Sequence, residues 1–109
     1  MVLEEKRINE LQKGVVNKIE TFFFDKDFDI SPEFKKFILL GLENLEIKLT
    51  YSSENLQCIF LLYFDQLEYS IFKNGEELSH CIVEDTDSFE KMTSRFMHWF
   101  QTDYEKVVR

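Results

Sequence analysis

The sequence predicts a single α+β domain spanning residues 1–109: N-terminal helices, a four-stranded antiparallel β-meander, and a long C-terminal helix packed on one sheet face. Three observations carry this. Apolar residues recur at helical spacing near both ends, at Ile8, Leu11, Val15, Ile19 and Phe22 and again from Phe89 to Val107. Between them, from Leu45, the period changes to two. Asn74-Gly75, between two alternating segments, is the strongest hairpin signal in the chain.

The first helix is expected over about Leu3 to Phe23, with Glu10, Lys13, Asn17 and Glu20 off its apolar stripe. Asp25 to Ile30 reads as an acidic loop. Ser31-Pro32-Glu33 offers an N-cap and a proline at the first helical position, which predicts a second, shorter helix carrying Phe34, Phe37, Ile38 and Leu42. The apolar run Phe37–Leu40 fits a strand as well.

Leu45, Ile47, Leu49 and Tyr51 alternate with polar residues, giving a strand with one wet face. Leu56 to Phe64 is apolar at nearly every position, as a central strand covered on both faces would be. Leu67–Lys73 and Glu76–Glu84 complete the meander. Asp87 with Glu90 three positions on resembles a capping box opening the last helix, which carries Phe89, Met92, Phe96, Trp99, Phe100, Tyr104 and Val107 on one broad face.

Turn positions convert this order into a register. Turns at Ser53-Glu54, Asp65-Gln66 and Asn74-Gly75 pair Tyr51 with Leu56, Leu62 with Tyr69, and Tyr69 with His80. One face then holds Leu45, Ile47, Leu49, Tyr51, Cys58, Phe60, Leu62, Tyr69, Ile71, Leu78, His80 and Ile82, and the helices are expected there. The opposite face has an apolar centre of Ile59, Leu61, Tyr63, Phe72, Cys81 and Val83 within a polar surround. Either a helix crosses over to cover that centre, or it marks an interface, or the register has slipped.

Charge narrows the function classes. The chain has 109 residues, 44% of them hydrophobic, and carries 21 acidic against 13 basic side chains, a net charge of −8. Such a chain can build a core, but it is poorly suited to bind nucleic acid or an anionic membrane directly. Between Glu54 and Glu90 there are nine acidic residues and one basic one, Lys73, so the whole net charge is concentrated in that stretch. No apolar run is long enough to span a bilayer. Glu4, Glu5, Lys6 and Arg7 stand where a signal peptide needs an apolar segment, and the two Cys, without metal or redox spacing, fit a reducing compartment. A cytoplasmic location is expected. There is no Ala, and Ala, Gly, Pro and Arg together supply seven residues, as in an AT-rich genome such as that of a low-GC bacterium or its phage.

No residue set points to catalysis, a cofactor or a metal. Asp25, Asp27 and Asp29 mimic the start of a calcium loop, but Ile30 replaces the required Gly and Lys36 the closing Glu. Cys58, His80, Cys81 and His98 lack the short paired spacings of a zinc site. The three Gly are scattered and build no phosphate loop. The chain reads as a non-enzyme.

The expectation is therefore a small acidic inhibitor. It docks its acidic sheet surface onto a basic functional site of a partner protein, such as the cleft of a nuclease or another nucleic-acid-handling protein, and blocks it by competition. Glu68, Glu76, Glu77, Glu84, Asp85 and Asp87 would steer the encounter, with Tyr63 and Phe72 as apolar anchors. In size, charge and absence of motifs the chain looks like toxin-immunity proteins and phage anti-defence proteins such as anti-CRISPRs. The alternative is an adaptor or secretion-chaperone-like module that forms a homodimer through the apolar sheet face.

Overall fold

A computed structural model describes residues 2–63, 65–84 and 88–109, with side chains from residue 12 onward except those of 39, 42 and 43. The elements run α1 (Val2–Phe23), β1 (Asp29–Leu39), β2 (Leu42–Ser52), β3 (Leu56–Leu62), β4 (Gln66–Lys73), β5 (Glu76–Glu84) and α2 (Phe89–Val108). The strands form one antiparallel sheet in the order β1-β2-β3-β4-β5. The architecture is α+β as expected, with five strands in place of four.

The extra strand is the segment expected to be a second helix. Residues 29–39 pair with β2 over its whole length, Ile30 opposite Tyr51, Phe34 opposite Ile47 and Leu39 opposite Leu42. Ser31-Pro32 resembles a helix start, but tertiary pairing outweighs that local signal. The two-residue turn Leu40-Gly41, with φ of 54° and 78°, folds the chain directly back onto β2. Pro32, which lacks an N–H, is tolerated because β1 is an edge strand. The β1–β2 hairpin extends beyond the rest of the sheet, since β3 pairs with β2 only over Ile47–Ser52. The molecule is accordingly elongated, 46 × 26 × 24 Å.

The other turns sit close to their expected places, with informative differences. Ser53 N–H donates to Leu56 O at 2.8 Å and Tyr63 N–H to Gln66 O at 2.9 Å. Tyr51 therefore pairs with Cys58 rather than Leu56, and Leu62 with Leu67 rather than Tyr69. Each slip moves a partner by two residues, so every side chain keeps its face. Asn74-Gly75 forms the expected tight turn, both residues at positive φ, and pairs Lys73 with Glu76.

One residue further along β5 the register breaks. Phe72 pairs with Glu77 but Ile71 with Ser79, so Leu78 is an extra residue in a β-bulge. The bulge reverses the rest of the strand. Tyr69 lies opposite Cys81 rather than His80, and Leu67 opposite Val83. Cys81 and Val83 thus join the core face, while Leu78, His80 and Ile82, expected inside, are exposed.

Both helices pack on the face holding Ile47, Leu49, Tyr51, Cys58, Phe60, Leu62, Leu67, Tyr69 and Ile71, all buried. From α1, Val15, Ile19 and Phe23 enter this core, and Phe23 stacks on Tyr51 with centroids 4.1 Å apart. From α2, Phe96 and Phe100 pack edge-on against Phe60 and Tyr69. Phe22 meets Phe100 and Tyr104, each at 5.1 Å, so the helices also touch one another. Trp99, expected on the buried face of α2, is 43% exposed, and Thr93 and Met97 are buried instead. The N-cap of α2 is Ser88, whose hydroxyl accepts from Lys91 N–H at 3.2 Å. The expected cap, Asp87, lies outside the described residues, as does Asp85.

Leu40 is 94% exposed at φ 54°, a left-handed conformation that disfavours a leucine. Leu40→Asn recreates the Asn-Gly turn found at residues 74–75 and is expected to stabilise the fold by about 1 kcal/mol. A thermal melt reads this as a rise of roughly 4–8 °C. An unchanged or lowered midpoint would contradict the turn geometry.

Candidate functional site: the open face of the sheet

Strand alternation turns one residue in two away from the helices, and among the described residues no element covers that outer face. Its side chains form lateral rows across the strands. One row runs Glu33, Lys48, Leu61, Glu68, Ile82. The next runs Ser31, Thr50, Ile59, Ser70, His80. A third ends Gln57, Phe72, Glu77, and Gln66 pairs with Glu84 at the opposite end of β4.

Ile59 and Leu61 on β3 make the centre, each half-buried by its neighbours, and Ile82 stands beside Glu68 at 44% exposure. Charge around this centre is uneven. The outer positions of β1 and β2 mix Glu33, Lys35, Glu46 and Lys48, with Lys48 Nζ 3.9 Å from Glu33. These residues and Phe34 line a shallow hollow on the hairpin. The outer positions of β4 and β5 carry Glu68, Glu77 and Glu84 with no Lys or Arg, and His80 Nε2 lies 2.7 Å from Glu68 Oε2.

Of the residues expected to bind a partner, Tyr63, Glu68, Phe72, Glu77 and Glu84 lie on or at the end of this face. Glu76 instead sits opposite Lys73 on the helix side. Tyr63 and Phe72 stand at opposite ends of the β3–β4 pair, about 20 Å apart at about 3.3 Å per residue. They are therefore two separate contacts with Ile59 and Leu61 between them. Ile82, which sequence reasoning placed in the core, belongs to the outer face, and only the bulge reveals it. Burial and the hydrogen-bonded carboxylate of Glu46 push the Tyr63 phenol upward, so it remains a neutral hydroxyl.

The helix side holds a polar cluster that sequence reasoning also missed. Tyr69 Oη–H and Ser79 Oγ–H both donate to Asp103 Oδ2, the latter at 2.9 Å. Ser79 reaches α2 only because the bulge turns it inward. Lys73 Nζ donates to Val107 O at 3.2 Å, closing the C-terminal turn of α2. These bonds pin α2 to β4 and β5. Cys58 is fully buried, which pushes its thiol up to about 12, and burial also raises Cys81. Neither has the depressed value of a nucleophile. Among the described residues no three His, Cys, Asp or Glu side chains come together as a metal site, and no helix is long and apolar enough to cross a membrane.

Comparison with protein-family models, with curated proteins and with solved structures finds no match to this chain.

Burial makes stability fall in alkali. Tyr51 is raised from 10.0 to about 12 by burial and then by Glu20, Cys58 from 9.0 to about 12, and Tyr69 is raised by burial and by its bond to Asp103. Because the folded values lie above the unfolded ones, this contribution is complete below the ordinary values and is lost as pH climbs towards the folded values. Each group adds a slope of about 1.4 kcal/mol per pH unit. Tyr69→Phe should remove one such slope and cost about 1–2 kcal/mol at neutral pH, since Asp103 loses a donor. Urea titrations across that window measure both, and a flat alkaline profile would contradict the burial.

Proposed function

We propose that this chain is a small acidic protein-binding inhibitor that lays the open face of its sheet on a basic functional site of another protein. The observation that supports the reading is the unevenness of the sheet. Both helices occupy one face, and the other presents Ile59, Leu61 and Ile82 beside the carboxylates of Glu68, Glu77 and Glu84, with no Lys or Arg among the outer positions of β4 and β5 and with His80 against Glu68. Apolar side chains at the centre of a surface supply binding energy once desolvated, while carboxylates around them steer a basic partner and set the rate of encounter. A site that handles nucleic acid is built from Lys and Arg, and an acidic sheet competes for it by occupancy. The mechanism needs no bond-making step.

Tyr63 and Phe72 act in this reading as outlying contacts at the two ends of the patch, with Ile59 and Leu61 as the central anchors. Glu76 takes no part, because it shares the helix side with Lys73. The adaptor reading uses the same apolar centre but a client that need not be basic.

The test is an affinity capture from lysate of the source cell, washed at low and high salt. Glu68→Lys/Glu77→Lys is compared with Glu76→Lys. The expected result is a basic, nucleic-acid-handling protein whose activity the purified chain inhibits. The double reversal should abolish its capture, most strongly at low salt, and the Glu76→Lys control should retain it. Equal capture by the double reversal, or a client that is not basic, would reject the inhibitor reading and favour the adaptor.

A further inference from the structure

The exposed edge of β1 carries a pattern that the open face does not explain. On the helix side of this strand Ile30, Phe34 and Ile38 are 47%, 64% and 77% exposed. They are not isolated from the core: Ile30 pairs laterally with Tyr51 and Phe34 with Ile47, both buried. The core row therefore continues onto β1 and ends in water. Edge strands are ordinarily blunted by bulges, by charged side chains and by proline. The other edge, β5, is blunted in this way, with its bulge at Leu78 and the acidic Glu76, Glu77 and Glu84. β1 carries Pro32, Lys35 and Lys36 but no bulge, and it combines an unbroken register with three large apolar side chains.

We propose that β1 is the seam of a homodimer, paired antiparallel with β1 of a second copy about a twofold axis at Phe34. The occupant follows from the order of residues along the strand. With Phe34 opposite itself, Glu33 of each copy faces Lys35 of the other, and Ile30 faces Ile38. Both charge pairs fall on the outer side and all the apolar pairs on the helix side, where they lengthen the existing core. Moving the partner by two residues in either direction sets Glu33 against Glu33 or Lys35 against Lys35, and breaks the apolar row. Only one register of this kind satisfies both sets. Pro32 then lies opposite Lys36 of the second copy and forfeits one ladder hydrogen bond on each side of the axis. The product is a closed, self-complementary interface that makes a ten-stranded sheet with four helices on one face. It leaves the open face free, so it is independent of the inhibitor reading.

Sedimentation equilibrium of the full chain is expected to give twice the chain mass. Phe34→Lys, which sets two ammonium groups on the axis, is expected to give a monomer with unchanged far-UV circular dichroism. Glu33→Lys creates two like-charge contacts by symmetry and should weaken association about tenfold. Glu33→Lys/Lys35→Glu should restore it. That rescue is specific to the seam, because within one chain the double variant sets Lys beside Lys48 and Glu beside Glu46. Phe34→Cys should form an intermolecular disulfide under mild oxidation, since paired strands bring the two Cα atoms to about 4.5–5.5 Å. A monomeric wild type, a dimer indifferent to Phe34→Lys, failure of the charge exchange to rescue while far-UV circular dichroism and thermal midpoint match those of Glu33→Lys, or growth beyond a dimer through β1 and β5 would each overturn the proposal.

Discussion

The structure depends on one packing constraint: both helices must bury their apolar stripes against the same face of a single sheet. The aromatic rings enforce it. Phe60 on the central strand touches Phe23 from α1 and Phe96 and Phe100 from α2, and Phe22 ties α1 to α2 through Phe100 and Tyr104. Edge-to-face contacts of this kind add roughly 0.5–1.5 kcal/mol each beyond area burial, and they are directional. Two helices sharing one ring cluster cannot straddle the sheet. The open outer face is a consequence of that sharing.

The polar groups on the helix side follow the same logic. Gln12, fully buried on α1, donates through Nε2 to Leu45 O at 2.8 Å and Leu62 O at 3.1 Å, where β2 parts from β3. Asp103 and Lys73 do equivalent work for α2. Each helix is thus fixed by one hydrophobic stripe and by hydrogen bonds to the sheet, which leaves it little freedom to move across to the other face.

Much of this was legible in the sequence, and the parts that were not have identifiable causes. The helical period at both ends, the alternation from Leu45 and the Asn74-Gly75 turn placed α1, α2 and four of the five strands. Turn positions misjudged at Ser53 and Asp65 did no harm, because two-residue slips conserve faces. The bulge at Leu78 did harm, because a one-residue slip reverses every side chain after it. No local signal marks that bulge, and the exchange of His80 and Ile82 for Cys81 and Val83 follows from it. Residues 29–39 failed for a different reason. Ser31-Pro32 is a sound local helix start, and only the long-range pairing with β2, closed by Leu40-Gly41, decides against it. Of the candidate site, the acidic character of β4 and β5 was readable from composition. The true apolar centre was readable only in part, since it needs the register.

The central claim is that one face of the sheet is core and the other is presented to solvent. Methyl NMR with a soluble paramagnetic agent measures this residue by residue. Strong relaxation enhancement is expected at Ile59, Leu61 and Ile82 and little at Ile47, Leu49 and Ile71. Equal protection of the two sets would mean that the outer face is covered, and would contradict the account.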